Sequence, residues 1–564
     1  MNRQQRRRLS KQSRRTGKAK AVANISVPDV LRQAFAFLQG GYPQESIRLY
    51  QQILAVDPKH AEALNLCAIA YFQSGEPAQA IRSLQNAVSV QPNYVEAHNN
   101  LGNVFKALGK FAEAETAYSK ALAINPDYFD AHFNQGILLE GLNRLTEAED
   151  AYRRTYEINP EFWPALFNLG NVLKAKGEFG EAAEIYRQTI ERDPNYVDAY
   201  INLGSVLHEL GKSDEAVTSY QRALELDSNR ADAHYNLGIV LQEKDELAGA
   251  VAAYQQVLDL DPKHVEARIN LGYAWQKLGK LDEAITAYER AIDIEPHHAQ
   301  THVNLGDALL ERGEPEAAVA LCDKYLAQHF GNTAVLGFKA AALGELGNRE
   351  SVDHLLDFDR FIQPVRLETP AGYASVADFN AALAHHVRSH PTLVSAPASH
   401  ATRLGKHSGE LLDQSKGPIA VLEEIIRSSV KTYMRKLSTD LEHPFTDSRP
   451  KNFALTAWGI VLGSKGYQLP HIHPSAWLSG VYYVQVPEVF AEAGNAQAGW
   501  IEFGRPPIHF HCKADARVKL FQPEEGLMLL FPSYFYHGTV PFNYDAQRIS
   551  IAFDILPLPA PTPP

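Results

Sequence analysis

A repeat of 34 residues runs through the first two thirds of the chain, and no other feature constrains the fold as strongly. Proline, glycine and tyrosine each recur at this interval and in a fixed register. The series are Pro58, Pro92, Pro126, Pro160, Pro194, Pro262 and Pro296; Gly102, Gly136, Gly170, Gly204, Gly238, Gly272 and Gly306; and Tyr118, Tyr152, Tyr186, Tyr220, Tyr254 and Tyr288. A unit of this length cannot bury its apolar face alone, so neighbouring units must stack.

One unit, VEAHNNLGNVFKALGKFAEAETAYSKALAINPDY, contains two stretches with apolar residues at helical spacing, separated by the turn LGK. This pattern predicts a helix, a turn and a second helix. Gly102 would let the two helices approach closely, Tyr118 would fill the space between units, and the proline would end the second helix. The array resembles the tetratricopeptide repeat family over residues 27–350, with nine clear repeats and a degenerate tenth. This resemblance implies an all-α superhelix.

Asparagine forms a fourth series in the same register: Asn100, Asn134, Asn168, Asn202, Asn236, Asn270 and Asn304. An asparagine inside a helix competes for backbone hydrogen bonds, so seven in register indicate a role for the side chain. Here the array resembles the arm of the O-linked N-acetylglucosamine transferases, whose asparagine ladder lines the concave face and holds extended polypeptides. The resemblance implies a polypeptide partner or substrate bound by this series. Alternatively, each asparagine only hydrogen-bonds to the neighbouring repeat. Glycosyl transfer is not expected, because about 210 residues follow the array, too few for two nucleotide-sugar lobes.

Charge is distributed unevenly along the chain. The first twenty residues contain nine Arg or Lys and no acid, whereas the formal net charge of the whole chain is −12. We expect residues 1–26 to form a basic disordered tail, which could also touch phosphates, anionic lipid or an acidic partner. The acidic remainder argues against a specific nucleic-acid partner, because phosphate neutralisation drives such binding.

The chain has no stretch of eighteen apolar residues and only three cysteines, which lie far apart: Cys67, Cys322 and Cys512. This pattern predicts neither a transmembrane segment nor a disulfide framework. A reducing compartment is therefore indicated, and we expect a cytoplasmic protein.

The period disappears beyond about residue 355. A short helical cap is predicted first, and then several apolar, aromatic and β-branched runs bounded by glycine and proline, such as FALTAWGIVL and WLSGVYYVQVP. Short strands separated by turns are typical of a β-sandwich or barrel. The sequence therefore predicts a separate β-rich domain over residues 351–564.

Three histidines in this domain have the spacing of a metal site. His471 and His473 are two residues apart in LPHIHP, so on a strand they project to one side of the sheet. His537 follows in FPSYFYHGTV, and Arg548 and Ser550 share one face of the next run, RIS.

This order resembles the Fe(II)- and 2-oxoglutarate-dependent oxygenases, and specifically a bacterial subgroup often joined to other modules. Their fold is a double-stranded β-helix (jelly roll), with His-x-Asp/Glu and a distal His as metal ligands. The resemblance implies Fe(II) at His471, His473 and His537, with 2-oxoglutarate as cosubstrate and ascorbate as an auxiliary reductant. The far carboxylate of 2-oxoglutarate would be bound by a second set of residues: Arg548, Ser550 and, from the VYYV strand, Tyr483. Two imidazoles and a carboxylate leave positions open for the oxoacid and oxygen, and arginine offers a planar fork to a carboxylate.

One position departs from the family pattern, because His473 stands where a carboxylate is expected. Three neutral imidazoles would leave the site one charge more positive. His473 could ligate and give a three-histidine site, or it could be a bystander while two histidines suffice. Otherwise an acid such as Glu502 reaches in, or the domain has lost iron. Three histidines also suit Zn(II). A second pair, His509 and His511 beside Cys512, is predicted to have a surface or supporting role.

Together these patterns predict an oxygenase that hydroxylates a protein or peptide side chain presented by the repeats. The link between repeats and substrate rests on analogy between folds. Two alternatives remain open: an interaction scaffold with a catalytically silent jelly roll, and a hydroxylase of small molecules that the repeats only localise.

Overall fold

The computed structural model describes residues 26–396, 401–413, 417–437, 443–488, 497–542 and 547–558. These residues form 24 helices and ten strands. The chain divides into two compact units, residues 1–240 and 241–564. Residues 1–25 of the predicted basic tail lie outside the described residues.

Helices follow one another in pairs through the repeat region, nine pairs in all and then a shorter tenth. The first helices are α1 (Val27–Gln39), α3 (Ala61–Gln73), α5 (Val95–Ala107), α7 (Phe129–Gly141), α9 (Pro164–Ala175), α11 (Val197–Glu209), α13 (Ala231–Glu243), α15 (Val265–Lys277), α17 (Ala299–Arg312) and α19 (Thr333–Glu345). Their partners are α2 (Pro43–Val56), α4 (Pro77–Val90), α6 (Phe111–Ile124), α8 (Leu145–Ile158), α10 (Phe179–Arg192), α12 (Ser213–Leu226), α14 (Leu247–Leu260), α16 (Leu281–Ile294), α18 (Pro315–Leu326) and α20 (Arg349–Leu355).

The glycine and tyrosine series meet inside the pairs. A Cβ atom placed on Gly102 would lie 2.4 Å from the ring of Tyr118, closer than real Cβ contacts allow. The same contact joins Gly136 to Tyr152, Gly170 to Tyr186, Gly204 to Tyr220 and Gly272 to Tyr288. All these rings are fully buried. The predicted close approach at glycine is therefore confirmed, and the tyrosine ring is what occupies the vacated space.

The C-terminal region begins with short elements and continues into antiparallel sheets. Its helices are α21 (Phe358–Phe361), α22 (Val376–Ser389), α23 (Pro418–Lys436) and α24 (Pro444–Asp447). Its strands are β1 (Gln363–Arg366), β2 (Val394–Ser395), β3 (Thr402–Glu410), β4 (Phe453–Gln468), β5 (Leu478–Gln485), β6 (Ile501–Phe503), β7 (Lys519–Phe521), β8 (Leu527–Pro532), β9 (His537–Thr539) and β10 (Arg548–Pro557).

Two sheets carry the site. The larger has the order β1-β8-β5-β10-β4-β3-β2, and the smaller has the order β7-β6-β9. Strand β10 is central, paired antiparallel with β4 on one side and β5 on the other. Two facing antiparallel sheets with crossover connections are the jelly-roll arrangement. The predicted fold class, an all-α repeat array followed by a β-rich jelly roll, is confirmed.

The last repeats share one hydrophobic core with the sheets. This core runs from Ala284 in α16 to Ile555 in β10. The ring of Phe338 in α19 packs edge-on against Phe510, with centroids 5.3 Å apart. The hydroxyl of Thr333 donates to the carbonyl of Ala476 across 3.0 Å. Folding of the jelly roll therefore includes helices that the 34-residue pattern assigns to the repeats.

None of the helices among the described residues combines the length and apolarity needed to cross a membrane.

Candidate metal centre

Two of the three predicted metal ligands are joined through their main chains. His471 and His537 form an isolated antiparallel bridge, in which the amide of each donates to the carbonyl of the other across 3.0 Å. Residues in such a pair have neighbouring side chains. The amide of His473, two residues on, donates to the carbonyl of Ser533. Backbone pairing thus gathers histidines that are far apart in the chain.

The three imidazoles converge. One ligand nitrogen from each of His471, His473 and His537 lies within 4.8 Å of those of the other two. The ring centroids are 4.3 Å apart for His471 and His537, and 5.2 and 5.1 Å for the pairs that include His473. Three imidazole nitrogens this close can share one cation.

Each ring is oriented by a hydrogen bond at Nδ1. The carbonyl of Leu469 lies 2.8 Å from Nδ1 of His471, and the carbonyl of Phe535 lies 3.0 Å from that of His537. A carbonyl only accepts, so Nδ1 carries the proton in both rings and Nε2 has the lone pair. Metal-binding histidines commonly have such a partner on the far nitrogen.

Burial keeps these imidazoles neutral. It lowers the pKa of His471 to about 4, and the neighbouring His473 adds to the effect. Burial also holds the pKa of His537 well below its usual value, with further repulsion from His471. A neutral imidazole is the form that binds a metal, so His471 and His537 can bind a divalent cation without first losing protons.

The imidazole of His473 has a carboxylate as its hydrogen-bond partner. Nδ1 of His473 donates to Oδ2 of Asp554 across 2.8 Å, and the hydroxyl of Ser479 donates to Oδ1 across 2.7 Å. Trp458 lies almost parallel to the His473 ring, with centroids 5.6 Å apart. Asp554 stands on β10, six residues after Arg548.

Arg548 is a buried cation that has no carboxylate partner among the described residues. Only 2% of its surface is exposed. Its guanidinium donates to the carbonyl of Gly499 and to the hydroxyl of Thr539, across 2.8 and 3.0 Å. Its Nε has no hydrogen-bond partner, and no carboxylate of the described residues forms an ion pair with it. Burial accordingly lowers the pKa of Arg548, and the nearby Tyr483 partly opposes this.

A cavity of about 330 Å³ connects these groups. The three histidines line it together with Arg548 and Tyr483. The guanidinium carbon of Arg548 lies 5.7 Å from the centre of the Tyr483 ring. The three imidazoles and the guanidinium of Arg548 therefore face one space, an arrangement that suits a ligand with both a metal-chelating end and a carboxylate.

Ser550 lies outside this lining. It is 1% exposed and pairs with Tyr483 in the β10–β5 ladder. The alternative acid, Glu502, forms an ion pair with Arg505 and is absent from the histidine cluster. The carboxylate that does approach the cluster, Asp554, does so through His473.

In the second His-x-His pair, His511 contacts acidic residues of the repeats. The amide and Nδ1 of His511 approach the two carboxylate oxygens of Asp307 in α17, across 2.8 and 2.9 Å. Glu311, one turn later, lies 3.4 Å from Nε2 of His511. This histidine therefore joins the loop before β7 to the ninth repeat.

The seven asparagines are all partly exposed. Three of them donate to an asparagine of the preceding repeat: Asn100 to Asn65, Asn134 to Asn99 and Asn202 to Asn171, across 2.9 to 3.0 Å. The side chain of Asn304 instead accepts from Gln300. The alternative of contacts between repeats is thus present at three positions. An asparagine amide has two donors and one acceptor, so one such bond does not use its full capacity.

Two residues of the site were missed from the sequence: Asp554 and Thr539. Asp554 had a signal, since it follows Arg548 at an even spacing on one strand and so shares its face. Thr539 had none, because it reaches the cavity from β9 through pairing across the sheets.

Comparisons with known proteins agree with both parts of the chain. Residues 456–554 match the family model described as "Putative 2OG-Fe(II) oxygenase". Tetratricopeptide repeat models match segments from residue 31 to residue 342. No curated protein matches the chain.

Solved structures resemble the repeats. One is YrrB, described as a tetratricopeptide protein with an unusual peptide-binding site, at 28% identity over 33% of this chain and 95% of that one, with a TM-score of 0.30. A second is MamA, at 29% identity over 30% of this chain and 92% of that one, with a TM-score of 0.29. A third is PilF of Pseudomonas aeruginosa, at 20% identity over 36% and 92%, with a TM-score of 0.32.

These family models confirm two of the resemblances found in the sequence, to the tetratricopeptide repeats and to the 2OG-Fe(II) oxygenases, and the three histidines lie within residues 456–554. The chain is a tetratricopeptide repeat protein over residues 31–342, and its residues 456–554 are similar to the family described as "Putative 2OG-Fe(II) oxygenase".

Proposed function

We propose that this protein is a 2-oxoglutarate- and Fe(II)-dependent dioxygenase that hydroxylates a protein or peptide bound by its repeats. The observation that carries the proposal is Arg548, a buried guanidinium whose Nε has no partner, in a cavity that also contains three converging imidazoles. A buried cation is costly unless an anion completes its hydrogen bonds. A dicarboxylate with a chelating oxoacid at its other end meets both requirements.

Fe(II) would be held by Nε2 of His471, His473 and His537. Bound there, the metal would activate dioxygen, which receives two electrons from the oxidative decarboxylation of 2-oxoglutarate to succinate and two from the substrate. The chain's own part is to keep the rings of His471 and His537 neutral through burial and to fix all three rings through their Nδ1 hydrogen bonds. Zn(II) suits the same donors, so metal identity needs its own measurement.

The opposite part of the cavity would bind the far carboxylate of 2-oxoglutarate. Arg548 offers its guanidinium there, Tyr483 packs beside it, and Thr539 holds one of its amino groups. In a water-poor cavity a charge-assisted hydrogen bond is stronger than it is in solution. We assign Ser550 a supporting role beside Tyr483 in this carboxylate site.

Turnover of 2-oxoglutarate tests the enzyme part. Purified full-length protein with Fe(II) and ascorbate should form succinate slowly without a substrate. Arg548→Ala and His537→Ala should abolish this reaction, whereas Arg366→Ala, at an exposed ion pair with Glu524, should not. Absence of succinate with every divalent metal would favour the rival function, a scaffold with a silent jelly roll.

Labelling with ¹⁸O₂ tests the protein-substrate part. A cell extract incubated with the enzyme should gain ¹⁸O in a protein side chain. The triple variant Asn100→Ala, Asn134→Ala and Asn202→Ala should lose this labelling while it stays folded and keeps basal succinate formation. Label found only in small molecules, and equally with the variant, would instead support a small-molecule hydroxylase.

A further inference from the structure

Asp554 is placed to act on the metal centre through His473. It is 9% exposed, and it is the one carboxylate among the described residues that line the cavity. Its Oδ2 accepts from Nδ1 of His473, and its Oδ1 accepts from Ser479. The Ser479 hydroxyl lies 2.8 Å from that of Ser533. Both oxygens are thus held in place.

The strand that carries Asp554 makes this position rigid. In β10 it pairs with Thr456 of β4 on one side and with Ser479 of β5 on the other. A residue in the middle of a sheet cannot move toward the cavity without breaking both ladders. Asp554 therefore contacts the far side of the His473 ring, while the three ligand nitrogens face one another.

His473 differs from the other two ligands in this partner. His471 and His537 are oriented by neutral carbonyls, whereas His473 donates to a carboxylate. A carboxylate on Nδ1 fixes the tautomer, raises the basicity of Nε2 and brings a negative charge near the cation. The Trp458 ring, tilted by 23° from the His473 plane, limits rotation of the imidazole about its own axis.

We propose that Asp554 is a positioning residue of the metal centre. It makes His473 a full ligand and supplies, through that imidazole, the negative charge that three neutral histidines lack. The inference rests on the metal site of the proposed function, and it excludes the reading in which His473 is a bystander. It also makes an additional acid in direct contact with the metal unnecessary.

The test is a double-mutant cycle on metal affinity, with Co(II) as the probe and full-length protein. Asp554→Asn keeps the shape and one acceptor but removes the charge. It should weaken Co(II) binding about 10- to 100-fold and shift the visible absorption of the bound Co(II). In a His473→Ala background the same change should alter affinity by less than about twofold, the scatter found for independent sites.

Two results would overturn the inference: an equal loss of affinity in both backgrounds, or unchanged affinity and spectrum in Asp554→Asn. Thermal unfolding of the metal-free variants monitors folding. Should the asparagine variant not fold, Asp554→Ser, which retains an acceptor without charge, carries the same comparison. Failure of this inference alone leaves 2-oxoglutarate turnover intact in Asp554→Asn. Failure of the proposed function alone leaves the Co(II) coupling intact with no succinate formed.

Discussion

Replacing Arg548 by methionine separates the stability cost of a buried charge from the contribution of that charge to 2-oxoglutarate binding. Methionine fills a similar volume with no charge and no donors. Withdrawing a cation from water costs several kcal/mol, and each hydrogen bond from a charged group returns about 1.5–3 kcal/mol. Arg548 makes two such bonds, to Gly499 and Thr539, and its partnerless Nε costs about 1–3 kcal/mol. Without cosubstrate these contributions nearly cancel or leave a deficit.

We therefore expect Arg548→Met to leave the ligand-free protein equally stable or to stabilise it by about 1–4 kcal/mol, as for other buried charges replaced by apolar residues. Adding 2-oxoglutarate with Mn(II), at about a hundred times the dissociation constant, should stabilise the wild type by about 2.7 kcal/mol. For the unit of residues 241–564 that corresponds to a rise of roughly 4 °C in the unfolding midpoint. The variant should show no rise.

The assay is thermal unfolding followed by tryptophan fluorescence, since Trp458, Trp477 and Trp500 all lie in the jelly roll. Arg366→Met, at an exposed arginine, is the matched control and should keep the full shift with 2-oxoglutarate. The reasoning is refuted if Arg548→Met loses more than about 2 kcal/mol without ligand and still gains the wild-type shift with it. In that case the guanidinium would be a structural element and not an anion site.

Three further outcomes follow from the fold. Gly102→Ala should destabilise the repeats by about 1–3 kcal/mol, because its Cβ would overlap the Tyr118 ring. In the control, Gly180→Ala, the new Cβ has no atom within 4 Å, so this variant should be neutral or stabilising by up to about 1 kcal/mol. Equal midpoints for the two variants in chemical unfolding would contradict this prediction. A fragment that begins at residue 351 should be insoluble or lack a cooperative transition in calorimetry, because it removes part of the shared core; a well-folded fragment would show that this core is dispensable. Burial raises the pKa of all three cysteine thiols to about 12, so about one thiol in 10⁴ is ionised at pH 8. A disulfide reagent should therefore label these cysteines rapidly only after denaturation. Fast labelling of the native protein would argue against this burial.

Local periodicity was sufficient to predict the repeats. A helix pair of 34 residues is encoded by apolar spacing within each unit, and Gly102 with Tyr118 needs only the helix next to it in sequence. The alternation of side chains along a strand predicted that His471 and His473 project to one side; their imidazoles do converge, but both residues lie between β4 and β5, where only His471 forms an isolated bridge. Such features depend on residues a few positions apart, which a sequence displays directly.

The site as a whole depended on strand pairing. His537 reaches His471 through a backbone bridge between distant segments, and Asp554 reaches His473 because β10 lies beside β5. The last repeats join the jelly-roll core in the same way, through contacts such as Phe338 with Phe510. The sequence determined which residues were available on each strand and helix face. Only the tertiary structure decided which of them meet, because the register between distant strands is set by the packing of the whole core and leaves no local pattern.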